Sequence, residues 1–332
     1  MARFTFQSVA SPLHDERSLD ALTRPVRSVL GELGGVESPA RDPETPHVVV
    51  VATGGTEHAV LDVVDRRPTD PAVRPDAPTL LVAHPHHNSL PAALEALAAL
   101  RQRGRRGRIV VADGDTTADE LRAAIEDLAA WHRFHAIRLG VVGTPSDWLV
   151  ASTPDATTVA RRWGPELVDV AIPRATSAFD EVPIELGRRV VDALGGSASL
   201  TLPRPDHVER AGRLDPALRS VMEQDDLDAI TVRCFDLLGT IETSGCVALA
   251  QLNDDGIVAG CEGDVPAALA MLWVRVLLDR PSWIANPASI RAASREVVLA
   301  HCTIAPSMVD DIELTTHFES GIGVGIHGRL RA

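Results

Sequence analysis

The sequence predicts an α/β fold: two parallel-sheet α/β domains followed by a small antiparallel β segment. Three observations carry that prediction. From residue 47 onward, short β-branched runs alternate with helical stretches, the rhythm of βαβ units with helices on both faces of a parallel sheet. The runs are continuously apolar rather than alternating, as strands covered on both sides are. Over residues 282–332 the helices drop out and an apolar/polar alternation takes over, which suggests antiparallel pairing.

Taken in order, residues 1–46 read as an N-terminal helix and a linker. Residues 18–33 place apolar side chains at helical spacing and end at Gly34-Gly35, a helix stop. Residues 38–46 are Pro-rich and charged. The first α/β domain is expected over 47–152, with strands at 47–52, 79–83, 108–112 and 137–142. Helices follow the first three strands, ending near Val64, Gln102 and Arg133. The second domain is expected over 153–281. It reads as a strand at 167–172, a helix at 178–194 stopped by Gly195-Gly196, and a strand at 229–234. A helix at 241–252, a turn and strand at 256–260 and a strongly apolar helix at 266–278 complete it. The β segment carries short strands at 283–285, 296–301, 312–317 and 323–329. Both domains are expected to be of the doubly wound, Rossmann- or flavodoxin-like kind, with no internal repeat.

The charge balance is 32 basic against 46 acidic residues, a net −14, and such a surface repels phosphate backbones, so no nucleic-acid partner is expected. Every basic side chain is Arg. Schiff-base chemistry through a lysine and a P-loop are thereby excluded. No window approaches the ~18–20 apolar residues of a membrane-spanning helix, and residues 1–7 lack the apolar core of a secretory leader. Cys234, Cys246, Cys261 and Cys302 form no C-x-x-C pair, so a zinc ribbon or redox dithiol is not expected from their spacing. A reduced, cytoplasmic protein is the expectation.

Ligands of a parallel α/β sheet sit beyond the carboxyl ends of its strands, so the residues that follow each strand are the candidates. Thr53, Gly54, Gly55 and Thr56 could cradle a ligand on backbone N–H groups or simply make a tight turn. They lack the third glycine of a dinucleotide fingerprint, which disfavours a nucleotide or flavin. His84, His86 and His87 could meet at an ion. Without a nearby carboxylate they fit better as a loop and helix start, with Asn88 or Ser89 as N-cap and a sugar-hydroxyl contact left open.

Glu262 and Asp264 precede the most apolar helix. Asp264 reads as its cap, which leaves Glu262 free to point outward. His301 and His317 end successive short strands. With Glu262 they form a candidate Glu/His/His site for a divalent cation, one histidine alone being an ordinary structural residue.

Several segments together resemble one known family. Thr53-Gly54-Gly55-Thr56-Glu57, Asn88-Ser89-Leu90-Pro91-Ala92-Ala93-Leu94-Glu95 and Gly143-Thr144-Pro145-Ser146-Asp147-Trp148-Leu149 resemble the N-terminal half of L-fucose isomerase-like proteins. Cys261-Glu262-Gly263-Asp264-Val265-Pro266-Ala267-Ala268-Leu269 resembles the central metal-binding segment shared by L-fucose and L-arabinose isomerases. His301-Cys302 and His317-Phe318-Glu319-Ser320-Gly321 resemble later segments of the same group, and the likeness covers residues 47–332.

The resemblance implies aldose–ketose isomerisation through a cis-enediol on a divalent cation, usually Mn²⁺, with Glu262, His301 and His317 as ligands. His327 competes with His317 for the last place. Glu262 would also be catalytic, together with Asn286, which stands where the family usually has a second acid. Thr53, Gly54, Gly55, Asn88, Ser89, Ser146, Asp147 and Trp148 would bind the sugar. Members of the group continue through further strands of a C-terminal β domain, whereas this sequence stops at Ala332. The neutral Asn286 keeps a second reading open, a catalytically weakened sugar-binding member. A homo-oligomer is expected, because the apolar helix around Met271, Leu272 and Trp273 and the thin β segment offer much apolar surface.

Overall fold

The computed structural model describes residues 3–39, 45–65, 77–194, 198–200 and 205–330. The chain forms two compact units, Met1–Arg133 and Phe134–Ala332.

The first unit runs β1 (Phe4–Val9), α1 (Glu16–Glu32), β2 (Gly35–Glu37), β3 (His47–Val51), α2 (Glu57–Asp65), β4 (Thr79–Ala83), α3 (Ser89–Gln102), β5 (Gly107–Val111) and α4 (Thr117–Ala136). Its five strands lie in the order β2-β1-β3-β4-β5, all parallel. Alternate residues of each strand point to opposite faces, so the sheet divides its apolar side chains between two cores. Val48, Val50, Leu80 and Val82 pack under α1 and α4 with Leu30, Leu121 and Ile125. Val49, Val51, Leu81 and Ala83 pack under α2 and α3 with Val60, Ala93 and Leu100. Asp15 starts α1 by accepting a hydrogen bond from the Ser18 N–H.

The second unit runs β6 (Arg138–Val142), α5 (Ala156–Arg162), β7 (Glu166–Val170), α6 (Ile172–Glu181), α7 (Ile184–Leu194), β8 (Ala198–Leu200), α8 (Pro205–Asp225), β9 (Ala229–Val232), α9 (Cys234–Thr240), α10 (Cys246–Asp254), β10 (Ala259–Cys261), α11 (Val265–Leu278), β11 (Asn286–Arg291), β12 (Glu296–Ala300), β13 (Val309–Thr315) and β14 (Gly325–Leu330). Strands β10-β9-β6-β7 make a second parallel sheet. One of its faces is covered by α6, α8, α9 and α10, and the other by α5 and α11. The tail carries an antiparallel hairpin, β11–β12, and an antiparallel pair, β13–β14, which is extended in parallel by β8. Two parallel-sheet α/β units and a small antiparallel β segment are thus the architecture that the strand and helix patterns predict.

Six details differ from the sequence reading. Residues 4–9 are a strand: Phe4, Phe6 and Val9 are buried and pair β1 between β2 and β3, where a helix and a linker alone were expected. Arg138–Val142 does not continue the first sheet. It pairs with β7 and β9, because its apolar residues belong to the second core. The helix expected over 178–194 is two, parted at Val182-Pro183, since a residue before proline is pushed to extended backbone. The helix expected over 241–252 begins only at Cys246, since Glu242 is left-handed at φ 50°, and a short helix, α9, precedes it. Pairing in the hairpin begins at Asn286 rather than within 283–285. The 21-residue α8 was not anticipated, although Val208, Ala211, Leu214, Leu218 and Val221 supply a buried helical stripe. Residues 40–44 of the expected linker and the expected stop at Gly195-Gly196 lie outside the described residues.

Candidate active site

The site is built at the carboxyl ends of β6, β9 and β10, where a parallel sheet presents backbone groups and loops to a ligand. β10 ends at Cys261, and the next two residues are both left-handed, Glu262 at φ 64° and Gly263 at φ 65°. For glutamate this backbone costs on the order of 1–3 kcal/mol and persists only where neighbours hold it. Here they do. The Ser146 N–H donates to the Glu262 carbonyl at 2.9 Å, the Gly263 N–H donates to the Val232 carbonyl at 3.0 Å, and the Asp264 N–H donates to the Cys261 carbonyl at 3.1 Å. Gly263 is required where it stands, since a Cβ there would meet the Thr144 carbonyl at 2.8 Å. Asp264 then caps α11, its Oδ1 accepting from the Ala267 N–H at 2.8 Å. The chain leaves β10 and enters α11 with the Glu262 side chain turned away from the cap.

Both Glu262 oxygens are engaged. Oε2 accepts from Trp148 Nε1 at 2.7 Å, and Oε1 faces His301 Nε2 at 3.6 Å. Thr303 Oγ1 meets His301 Nδ1 at 3.1 Å and fixes the ring with Nε2 toward the carboxylate. The His301 imidazole, above all, holds the Glu262 carboxyl below the ordinary carboxylate range; half-burial works against this and the Trp148 N–H works with it. Glu262 is therefore an ionised carboxylate at neutral pH, not a group tuned upward toward neutrality as general-base work alone would favour.

Trp148 is presented by the loop that follows β6, and Arg233 clamps that loop. Its guanidinium donates to Thr144 Oγ1 at 3.1 Å and to the Pro145 carbonyl at 2.8 Å, and pairs with Asp147 and Asp236 at 3.0 Å each. Trp148 stands edge-on to Phe235, and Phe235 edge-on to His317. A cavity of about 590 Å³ opens over these groups, lined by Trp148, Phe235, Glu262, Asn286, Phe318 and Glu319 among others. That volume suits a small polar ligand, with aromatic faces for its C–H surface and carboxylates for its hydroxyls.

Behind Phe235, His317 is buried with its Nδ1 at 2.9 Å from Ser320 Oγ. His317 shares a cluster with Cys246 and Cys302 whose donor atoms all lie within 4.8 Å of one another, a possible metal-binding group. Contact with Cys246, above all, lowers the Cys302 thiol well below its ordinary value; burial opposes the shift and His317 supports it. The same contact, with burial, raises Cys246. His327, the competitor of His317, instead sits on β14 with its side chain 73% exposed, 3.5 Å from Glu313.

The other residues singled out from the sequence fall into three places. Glu262, Asn286 and Trp148 share the cavity wall, and His301 meets Glu262. Ser146 and Asp147 lie in the supporting loop, one bonded to the Glu262 backbone and the other to Arg233. Thr53, Gly54, Gly55, Asn88 and Ser89 lie together in the first unit. There the Thr53 hydroxyl accepts from the Ser11 N–H, and the Gly54 N–H donates to the His87 carbonyl. Ser89 Oγ donates to the Val51 carbonyl. Asn88 occupies the N-cap position of α3 without a side-chain cap bond. Sequence reasoning missed Arg233, Phe235, Phe318 and the cysteines. Spacing spoke against a zinc ribbon or redox dithiol, but the fold joins Cys246 to Cys302 across 56 residues, a distance no local motif encodes.

No family model matches the chain. The chain is similar to a sulfoquinovose isomerase of Clostridium sp. (strain MSTE9), 24% identical over 250 residues that cover 72% of this chain and 54% of that protein. It is also similar to one of Alkalicoccus urumqiensis, 24% identical over 170 residues that cover 50% of this chain and 38% of that protein. A third, of Priestia aryabhattai, is 25% identical over 97 residues that cover 29% of this chain and 22% of that protein. This chain thus spans about half, or less, of the length of the curated relatives it matches. Its distant homologues are sugar isomerases.

Proposed function

We propose that this chain is an aldose–ketose isomerase acting on a sugar, of the L-fucose/L-arabinose isomerase type, through a cis-enediol. The observation that carries this reading is the Glu262 carboxylate. It is held at a strained left-handed position at the end of β10, engaged by Trp148 and His301, and it faces a cavity of sugar size. The distant homologues support the same class of reaction.

A divalent cation fits the chemistry of Glu262 and His301. A carboxylate oxygen and an imidazole nitrogen suit Mn²⁺ and similar ions, with His317 as the further candidate ligand. Bound there, such a cation supplies Lewis-acid stabilisation of the enediolate. The Cys246/Cys302/His317 cluster is softer and suits zinc better than Mn²⁺.

The chain's own residues do the proton work. Glu262, ionised, takes the proton from C2 of the aldose and returns it to C1 on the same face, as a cis-enediol allows. Asn286 lines the same cavity and can hydrogen-bond a hydroxyl, but its amide carries no proton, so Glu262 serves both transfers. Trp148 and Phe235 pack the sugar's apolar face and exclude water. The exposed Ile290, Val297 and Leu299 of the β11–β12 hairpin favour a homo-oligomer as the working form.

Sulfoquinovose, L-fucose and L-arabinose make the first substrate panel, assayed with added Mn²⁺ for ketose formation. Ketose from at least one of them supports the proposal. Tight sugar binding without turnover supports the second reading, a weakened sugar-binding member, which the neutral Asn286 favours.

A further inference from the structure

Every cysteine of this chain stands in a close sulfur pair. Cys234 Sγ lies 2.7 Å from Cys261 Sγ, and Cys246 Sγ lies 2.8 Å from Cys302 Sγ. All four are buried. Each pair adjoins site residues along the chain: Cys234 precedes Phe235, Cys261 precedes Glu262, and Cys302 follows His301.

The two pairs differ in access. Cys302 lines a second cavity, of about 730 Å³, together with His301, Thr315, Ile326 and Leu330. Cys234 and Cys261 line neither cavity. The spacing also separates two chemistries. Two thiolates sharing a tetrahedral zinc at about 2.3 Å stand about 3.7 Å apart, whereas a disulfide closes at about 2.05 Å. Both pairs stand within reach of bond closure, at 2.7 and 2.8 Å, and the Cys246–Cys302 pair has a member, Cys302, that lines a cavity.

We propose that Cys246 and Cys302 are a reversible dithiol–disulfide site, oxidised by a hydroperoxide that enters through the second cavity and reduced by a dithiol. In the oxidation, the Cys302 sulfur attacks one peroxide oxygen and the O–O bond breaks. The leaving oxygen takes a proton and departs as water or an alcohol, and Cys302 becomes a sulfenic acid. The Cys246 sulfur then attacks the Cys302 sulfur. The S–S bond forms, the S–O bond breaks, and the hydroxyl leaves as water with the Cys246 proton. Two thiols lose two electrons and two protons, and the peroxide gains both. A dithiol restores the pair by exchange through a mixed disulfide and is itself oxidised to a disulfide. The closed bond ties the start of α10 to the residue after His301.

The test is peptide mass mapping of the reduced, wild-type protein after titration with hydrogen peroxide and alkylation of the remaining thiols. One equivalent is expected to consume Cys246 and Cys302 together, to yield their cross-linked peptides, and to leave Cys234 and Cys261 alkylated. Dithiothreitol is expected to restore both thiols. In Cys246→Ser, Cys302 is expected to accumulate as a dimedone-trapped sulfenic acid. Three results overturn the proposal: both thiols surviving excess peroxide, Cys302 passing to sulfinic acid without a cross-link, or stoichiometric zinc in the purified protein that must be chelated before either thiol reacts. The readout is mass, so it stands or falls separately from sugar turnover.

Discussion

Trp148 and Glu262, 114 residues apart in sequence, meet in a 2.7 Å hydrogen bond from the indole N–H to the carboxylate. The bond links the loop after β6 to the end of β10, and it fixes one oxygen of the group that the account makes the proton carrier. A hydrogen bond to a charged group contributes about 1.5–3 kcal/mol when it is well shielded. Trp148 is about half exposed, so the lower end applies. Trp148→Phe keeps the ring against Phe235 and removes the donor. It is expected to lower kcat/KM by roughly tenfold without changing the fold, as steady-state kinetics with circular dichroism would report.

Asn286 lines the cavity with Glu262 but cannot move a proton. A positioned acid–base group contributes roughly 10²–10⁴-fold, so wild-type turnover is expected to be slow and Asn286→Asp is expected to raise it. Initial rates of ketose formation by the two proteins make the comparison. Fast wild-type turnover with no gain in the variant would show that another group already fills this role.

Asn253 makes three buried hydrogen bonds. Its amide nitrogen donates to the Leu249 and Ala259 carbonyls at 2.8 Å each, and its oxygen accepts from the Ala259 N–H at 3.0 Å. It thereby pins β10 to α10 three residues before Glu262. Asn253→Ala removes all three bonds, two of them to the Ala259 backbone, and is expected to cost about 2–3 kcal/mol in urea unfolding. An unchanged midpoint would refute the assignment.

His84 gives the first unit a pH dependence with a definite sign. Its Nε2 donates to the Ala52 carbonyl at 2.9 Å, and its Nδ1 accepts from the His86 N–H at 3.2 Å, so the neutral ring is fully satisfied. Burial pushes its pKa below 6.5. The unfolded chain therefore binds the proton more readily than the folded one. Stability contributed by neutral His84 is complete above about pH 6.5 and falls on acidification down to the folded-state pKa. Denaturant midpoints measured from pH 7.5 to pH 5 are expected to decline in the wild type and to decline less in His84→Gln.

Much of this architecture is written in local pattern. The continuous apolar runs of β3 and β4 announce a doubly covered sheet. The Glu262-Gly263-Asp264 turn announces both a capped apolar helix and a carboxylate left outside it. What local pattern does not carry is pairing between distant segments. β1 is a short edge-like run until α1 and β3 close over Phe4 and Phe6. The break at Val182-Pro183 is legible from proline chemistry, which overrides the helical spacing that runs across it. Arg233 looks like any surface arginine until the loop after β6 folds over it. The cysteine pairs close loops of 27 and 56 residues, and no motif has that spacing.

The central claim is that Glu262 carries a proton between adjacent carbons of a sugar, and isomerisation in deuterated water tests it most directly. The proton held on the Glu262 carboxyl exchanges with solvent before its return, so the wild-type protein with Mn²⁺ is predicted to form ketose bearing solvent deuterium at C1, and Glu262→Gln, with its fold intact, to form no ketose. Equal turnover and equal deuterium incorporation by the two proteins would contradict the account.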